Sequence, residues 1–193
     1  MKLTEIDHGL DLAKPSAGYV RSPGLHMSDI YNDLYRELNP ARYDKRDKDG
    51  NPLPFDSTRA EFGTAFEEVL EDAMSGRLLG ARPGEERTPE GIIYSPDHYL
   101  FNGQFRLGEF KATWMSSRYG LHDPRFDKWF TQMKSYCHNI ETPYARLYSF
   151  FVNGDYTTHQ PQLRAWDIEF SGRELRDNWD MMMRHARKRG MLP

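Results

Sequence analysis

The residues of this chain best suited to chemistry stand close together: Asp97, in the run Ser95-Pro96-Asp97, and, after eleven residues, Glu109-Phe110-Lys111. Two carboxylates can hold a hard divalent cation such as Mg²⁺, which takes oxygen ligands and keeps waters for a substrate, and a backbone carbonyl such as that of Phe110 completes a sufficient donor set. A lysine beside them has a separate task. It orients or helps deprotonate an attacking water and neutralises negative charge developing on a phosphate. Dry surroundings would lower its pKa. On a strand, Glu109 and Lys111 project from one face and Phe110 turns toward the core. If Asp97 lies on an adjacent strand, two carboxylates and one amine share a small volume at the sheet edge. The bland alternative is a solvated strand face carrying a Glu–Lys pair, and the neighbouring motifs weigh against it.

Gly63-Thr64-Ala65-Phe66-Glu67 places a glycine one helical turn before a glutamate, on the flank of an apolar stripe. Glycine inside a helix costs about 1 kcal/mol relative to alanine, which hints at a surface that something must approach closely. Gln132 and Tyr136, four residues apart, share one helix face, where an amide and a phenol can hydrogen-bond a phosphate or hold the lysine. His98, beside Asp97, reads as a surface histidine. Trp114, Arg118 and Tyr119 make either a wall for stacked bases or a loop packed on the core. The basic cluster Arg184, Arg187, Lys188 and Arg189 suits either a helix C-terminus or phosphate contacts.

These residues need a scaffold, and its elements are legible. A first helix begins near Ser28 or Asp29 and runs through Ile30, Leu34 and Leu38 until Pro40 stops it. Residues 41–56 read as a solvated loop. Thr58 and Glu61 have capping-box spacing and open a helix with Phe62, Phe66, Val69, Leu70, Ala73 and Met74 on one stripe, ending near Gly76 or Gly80. Asn102-Gly103 marks a hairpin between strands Ile92–Phe101 and Gln104–Ala112. A helix over Asp127–Ile140 follows, then strands Ala145–Val152 and Leu163–Phe170 around Asn153-Gly154. Ser171 and Glu174 cap a last helix that reaches Gly190. Helix, helix, strands, helix, strands, helix predicts an α/β fold around a mixed sheet.

In this order GxxxE, PD, ExK and QxxxY resemble the signature set of the RecB-like branch of the PD-(D/E)xK nuclease superfamily, which includes phage recombination exonucleases and CRISPR-associated exonucleases. The resemblance spans residues 58–140 closely and 24–170 in arrangement, and Gly24-Leu25-His26-Met27-Ser28-Asp29-Ile30 is similar to the start of the phage and CRISPR-associated members. It implies a restriction-endonuclease-like three-layer core with a central mixed β-sheet flanked by helices. It implies that Glu67, Asp97 and Glu109, with the Phe110 carbonyl, bind metal, that Lys111 acts on the water, and that Gln132 and Tyr136 support the site or the DNA. Two departures matter. The CRISPR-associated relatives generally have a histidine where Glu67 stands and four cysteines that hold an iron–sulfur cluster, whereas Cys137 is the one cysteine here. Asp97 follows Tyr94-Ser95-Pro96 rather than the more usual Gly-x-x.

The reading is therefore a Mg²⁺- or Mn²⁺-dependent DNA nuclease, an exonuclease of phage-type recombination or repair acting on single- or double-stranded ends. A structure-specific endonuclease and a non-catalytic DNA-end binding module are the alternatives. Residues 1–193 are expected to form one nuclease domain with an irregular segment over 1–24, a length able to bury about two-thirds of the unfolded surface. A homo-oligomer or a recombination partner protein fits the resemblance. A net charge of -3, from 26 Lys+Arg against 29 Asp+Glu, gives no global attraction for a polyanion. A metal-gathering site is itself acidic, so that balance does not exclude nucleic acid. No apolar run approaches the roughly 20 residues of a membrane helix. No leader is evident, so a cytoplasmic setting is expected, in the host if the chain is phage-encoded. No HxxxH, GxxxxGK[ST] or GxSxG pattern supports zinc, P-loop or serine hydrolase chemistry.

Overall fold

The computed structural model describes residues 22–46, 48–49, 51, 62–63, 65–66, 69, 80–81, 83–101, 103–157 and 160–193. Helix α1 spans Met27–Leu38 and buries Met27, Ile30, Tyr31, Leu34 and Tyr35. It starts slightly earlier than the sequence suggests. Asp29 does not precede the helix but sits in its first turn, where its carboxylate accepts the His26 N–H at 3.0 Å, and His26 is the cap. Gly24 fits this entry for a local reason. Its φ is +137°, and a Cβ there would meet the Ile93 side chain at 2.9 Å, so only glycine passes. Pro40 does not simply stop the helix: it begins the short α2, Pro40–Tyr43, where proline is tolerated because a first-turn N–H has no helical partner.

The expected strand over Ile92–Phe101 is two strands. Strand β1, Gly80–Ala81, pairs antiparallel with β4, His98–Phe101. Strands β2, Glu86–Arg87, and β3, Ile93–Tyr94, form a separate two-stranded sheet. Pro96 explains the break, since it has no N–H for a ladder and constrains Ser95 before it. Strand β5, Phe105–Thr113, runs antiparallel to β4 and parallel to β6, Tyr144–Phe151, and β6 runs antiparallel to β7, Gln162–Glu169. The sheet order is β1-β4-β5-β6-β7, a mixed sheet with β5 at its centre.

After β5 a 3₁₀ turn at Pro124–Phe126, capped by the Asp123 side chain, leads into α3, Asp127–Asn139. The capping box at Ser171 and Glu174 opens α4, Gly172–Lys188. Two apolar clusters lie on opposite faces of the sheet. The larger joins α1, α3 and α4 to Leu107, Ala145 and Leu147; the smaller joins Leu100, Phe110 and Tyr148, with Phe66 packed on it. The chain thus has the α/β, restriction-endonuclease-like layout, a mixed sheet between helical layers. Residues 62, 63, 65, 66 and 69 are helical as expected, and the proposed cap at Thr58 and Glu61 lies outside the described residues. A Cβ at Gly63 would meet nothing within 4 Å, so the described chain makes no close approach there.

Candidate active site

Glu109 and Lys111 lie on the central strand rather than at a sheet edge. Both project to the face covered by α1 and α3, while Phe110 is 1% exposed within the cluster on the other face. Asp97 immediately precedes β4. Because His98 pairs with Gly108, continuing the antiparallel register by one residue sets Asp97 opposite Glu109. Directly opposed side chains share a face with Cβ atoms about 5 Å apart. The Asp97 carboxylate oxygen Oδ2 accepts the Phe110 N–H at 2.7 Å, so the side chain takes the place a β4 backbone acceptor would have had. A residue's N–H and C=O leave a strand on the same side, so the Phe110 carbonyl also faces the Asp97 side.

Glu109 is fully buried. Its Oε1 accepts from Gln132 Nε2 at 2.7 Å and pairs with the Lys111 ammonium. Gln132 Nε2 lies 3.3 Å from the Tyr136 hydroxyl, so the expected helix pair does form, but it holds Glu109 rather than the lysine. Burial alone would push the Lys111 pKa down; the Glu109 and Asp97 carboxylates beside it reverse that and hold the amine protonated. The dry site therefore does not lower the lysine pKa. Burial, with Tyr31, Glu109 and Asp97 adding to it, pushes the Tyr136 phenol well up and keeps it neutral. Asp97, Glu109, Lys111, Gln132 and Tyr136 are thus brought together. Glu67 lies outside the described residues.

Hard oxygen donors from two strands, each carboxylate anchored through one oxygen by protein N–H groups, fit a divalent cation that retains waters. Among the described residues no group of three or more His, Cys, Asp or Glu gathers in an arrangement that would hold a metal, so the fit rests on the two carboxylates and the Phe110 carbonyl.

One expectation changes, and two open alternatives are narrowed. His98 is not a surface histidine: it is 9% exposed on the far face, its ring 6.4 Å from that of Phe110. Lys188 and Arg189 are engaged by Glu37 and Asp33 of α1, with His185 at 2.9 Å from Asp33, so that part of the basic cluster braces two helices. Trp114 and Tyr119 do not form one wall. Trp114 packs against Phe62 at 5.2 Å, and Tyr119 is covered by Arg125 at 3.7 Å.

The sequence reading also missed Tyr31, Lys128 and Ser149. Tyr31 and Lys128 act electrostatically on groups of the site. Ser149, on β6 beside Lys111, is fully buried, and its hydroxyl has no hydrogen-bond partner among the described residues. Lys128 could have been found, being one turn before Gln132 on the same helix face. Among the described residues no helix is long and apolar enough to cross a membrane.

No family model matches the chain, and no curated protein matches it. Solved structures do. A phage related exonuclease from Haemophilus somnus 129PT is similar over 84% of this chain and 79% of its own, with 16% identity and a TM-score of 0.52. An alkaline exonuclease from Laribacter hongkongensis is similar over 86% of this chain and 87% of its own, with 12% identity and a TM-score of 0.50. The same alkaline exonuclease in complex with dAMP gives 12% identity over the same shares and a TM-score of 0.51. At these identities the likeness is one of architecture: the structural neighbours of this chain are alkaline and phage-related exonucleases, and it shares their fold.

Proposed function

We propose that this chain is a metal-dependent DNA nuclease, an exonuclease that hydrolyses phosphodiester bonds at DNA ends in phage-type recombination or repair, with residues 1–193 acting as one catalytic domain. The observation that carries the reading is the Asp97–Glu109–Lys111 group. The Asp97 carboxylate, tied to the Phe110 N–H from the residue before β4, lies close enough to act on the Lys111 ammonium that pairs with Glu109, and Gln132 fixes Glu109 beneath α1 and α3. Sharing a fold with proteins described as exonucleases supports the same reading.

Asp97, Glu109 and the Phe110 carbonyl would hold Mg²⁺ or Mn²⁺, with Glu67 as the further carboxylate. When bound, the ion supplies Lewis acidity toward the scissile phosphate. The remaining work belongs to the chain. Lys111 places a positive charge where negative charge develops on the phosphate and orients the attacking water. Gln132 and Tyr136 keep the Glu109 carboxylate in one orientation, and the apolar packing of α1 and α3 limits bulk water around it.

End-labelled linear single- and double-stranded DNA and circular DNA, incubated with Mg²⁺, Mn²⁺ or chelator, test this. Linear DNA should be degraded with metal only and circles spared. Asp97→Asn and Lys111→Met should stay folded by circular dichroism and release no product. Full activity in either variant rejects the assignment, opened circles indicate an endonuclease, and binding without any product indicates an end-binding module.

A further inference from the structure

Lys128 stands in the first turn of α3, one turn before Gln132, so its side chain leaves the helix face that reaches Glu109. Its ammonium is 5.6 Å from the centroid of the Tyr31 ring and 5.3 Å from that of Tyr43. Aromatic faces attract a cation without neutralising it. The charges that act on Lys128 have its own sign, Lys111 and Arg36, and neither Lys128 nor Arg36 has an ion-pair partner among the described residues. Burial first, and those two cations after it, bring the Lys128 pKa from 10.5 to about 8.

The acids of the cleft that Arg36 lines are already engaged. Asp33 is held by His185 and Arg189, Glu37 by Lys188, and Asp44 by Arg46. These acids line an open cleft of about 540 Å³ together with Arg36 and Tyr43, the same tyrosine whose ring faces Lys128. The fold therefore sets Lys128 and Arg36 close to the site with no ion-pair partner among the described residues, an arrangement that an incoming anion relieves.

We propose that Lys128, between the rings of Tyr31 and Tyr43, and the neighbouring Arg36 form a phosphate-binding subsite that seats a phosphate group of the nucleic-acid strand away from the scissile bond. Naming the anion as nucleic acid rests on the nuclease reading. The cation cluster itself does not. A terminal phosphate and an internal phosphodiester present the same chemistry to it.

Binding to a fluorescent single-stranded oligonucleotide, followed by anisotropy in chelator across a salt series, separates these cases. The probes are a strand with a 5′-phosphate, the same strand with a 5′-hydroxyl, and its circular form. Lys128→Met should bind roughly tenfold more weakly, with the slope of log affinity against log salt reduced by about 0.7, and Lys128→Arg should retain most of the affinity. Lys128→Gln gives the same comparison if the methionine variant misfolds. A deficit confined to the phosphorylated strand assigns a terminal phosphate; a deficit on all three assigns an internal one. Unchanged affinity and slope on every probe overturn the inference. Because chelator prevents turnover, the two readings fail separately: Lys128-dependent binding without cleavage under metal removes the nuclease reading alone. Metal-dependent cleavage with binding indifferent to Lys128 removes the subsite alone.

Discussion

Replacing Lys128 by methionine should make the protein more stable at pH 7. The side chain keeps its length and its contacts with the Tyr31 and Tyr43 rings but loses a charge that the fold receives poorly. A pKa lowered from 10.5 to about 8 corresponds to a cost of about 3 kcal/mol in holding the ammonium folded, at ~1.36 kcal/mol per pH unit. That figure is a ceiling, because the side chain keeps some solvent contact and the variant gives up a cation–π attraction of about 0.5–1 kcal/mol. The expected gain is about 1–2 kcal/mol, a rise in Tm of roughly 2–8 °C for a chain of this size. The sign has a pH signature. At pH 7 the amine is charged in both folded and unfolded chains, so the full cost is felt. As pH rises from about 8 to 10.5 the folded chain sheds this proton first, stability increases, and the cost disappears. Urea unfolding of both proteins at pH 7, 9 and 11 measures it. A variant less stable at pH 7, or an advantage that does not shrink toward pH 11, refutes the reasoning.

Gln132→Leu removes the amide that donates to the buried Glu109 carboxylate at 2.7 Å. About 1–3 kcal/mol of stability should go with it, since a buried charge is left short of a donor, and turnover on labelled DNA should drop roughly 10- to 100-fold. Unchanged turnover would leave Gln132 no role in the site. Asp33→Asn tests the brace between α1 and α4. Burial would raise the Asp33 pKa, but hydrogen bonds from His185 and Arg189 outweigh it and hold the carboxyl below its usual 3.8. Its contribution is therefore complete above about pH 4 and lost as pH falls through the lower folded value. Wild type should lose more stability than Asp33→Asn on acid titration, and parallel titrations would exclude the brace.

Much of this arrangement was readable from residue order because its signals are local. The Ser171–Glu174 cap, the antiparallel pairing of β4 with β5 and the i,i+4 spacing of Gln132 and Tyr136 each depend on residues close in the chain. Long-range partners were not readable. Nothing in the sequence says that Gln132 reaches Glu109, 23 positions away, or that Asp33 meets His185, 152 away. The lysine pKa failed in part for the same reason: desolvation is guessed from composition, whereas the Glu109 pairing, and the Asp97 charge after it, arise only when the buried groups are brought together. His98 was misplaced because alternation from Asp97 sends it through the sheet, and one histidine in isolation carries no hydrophobic pattern to reveal that.

Strand β4 begins at His98, whereas β5 runs on to Thr113 alongside β6. Past Gly108 the flank of β5 that faced β4 has no further β4 pairing, and the Phe110 N–H that would have joined a ladder is answered by Asp97 instead. The sheet therefore carries a notch beside its middle strand. The Phe110 amide and carbonyl border it, and a substitution at Phe110 changes the packing beneath the notch without deleting either group.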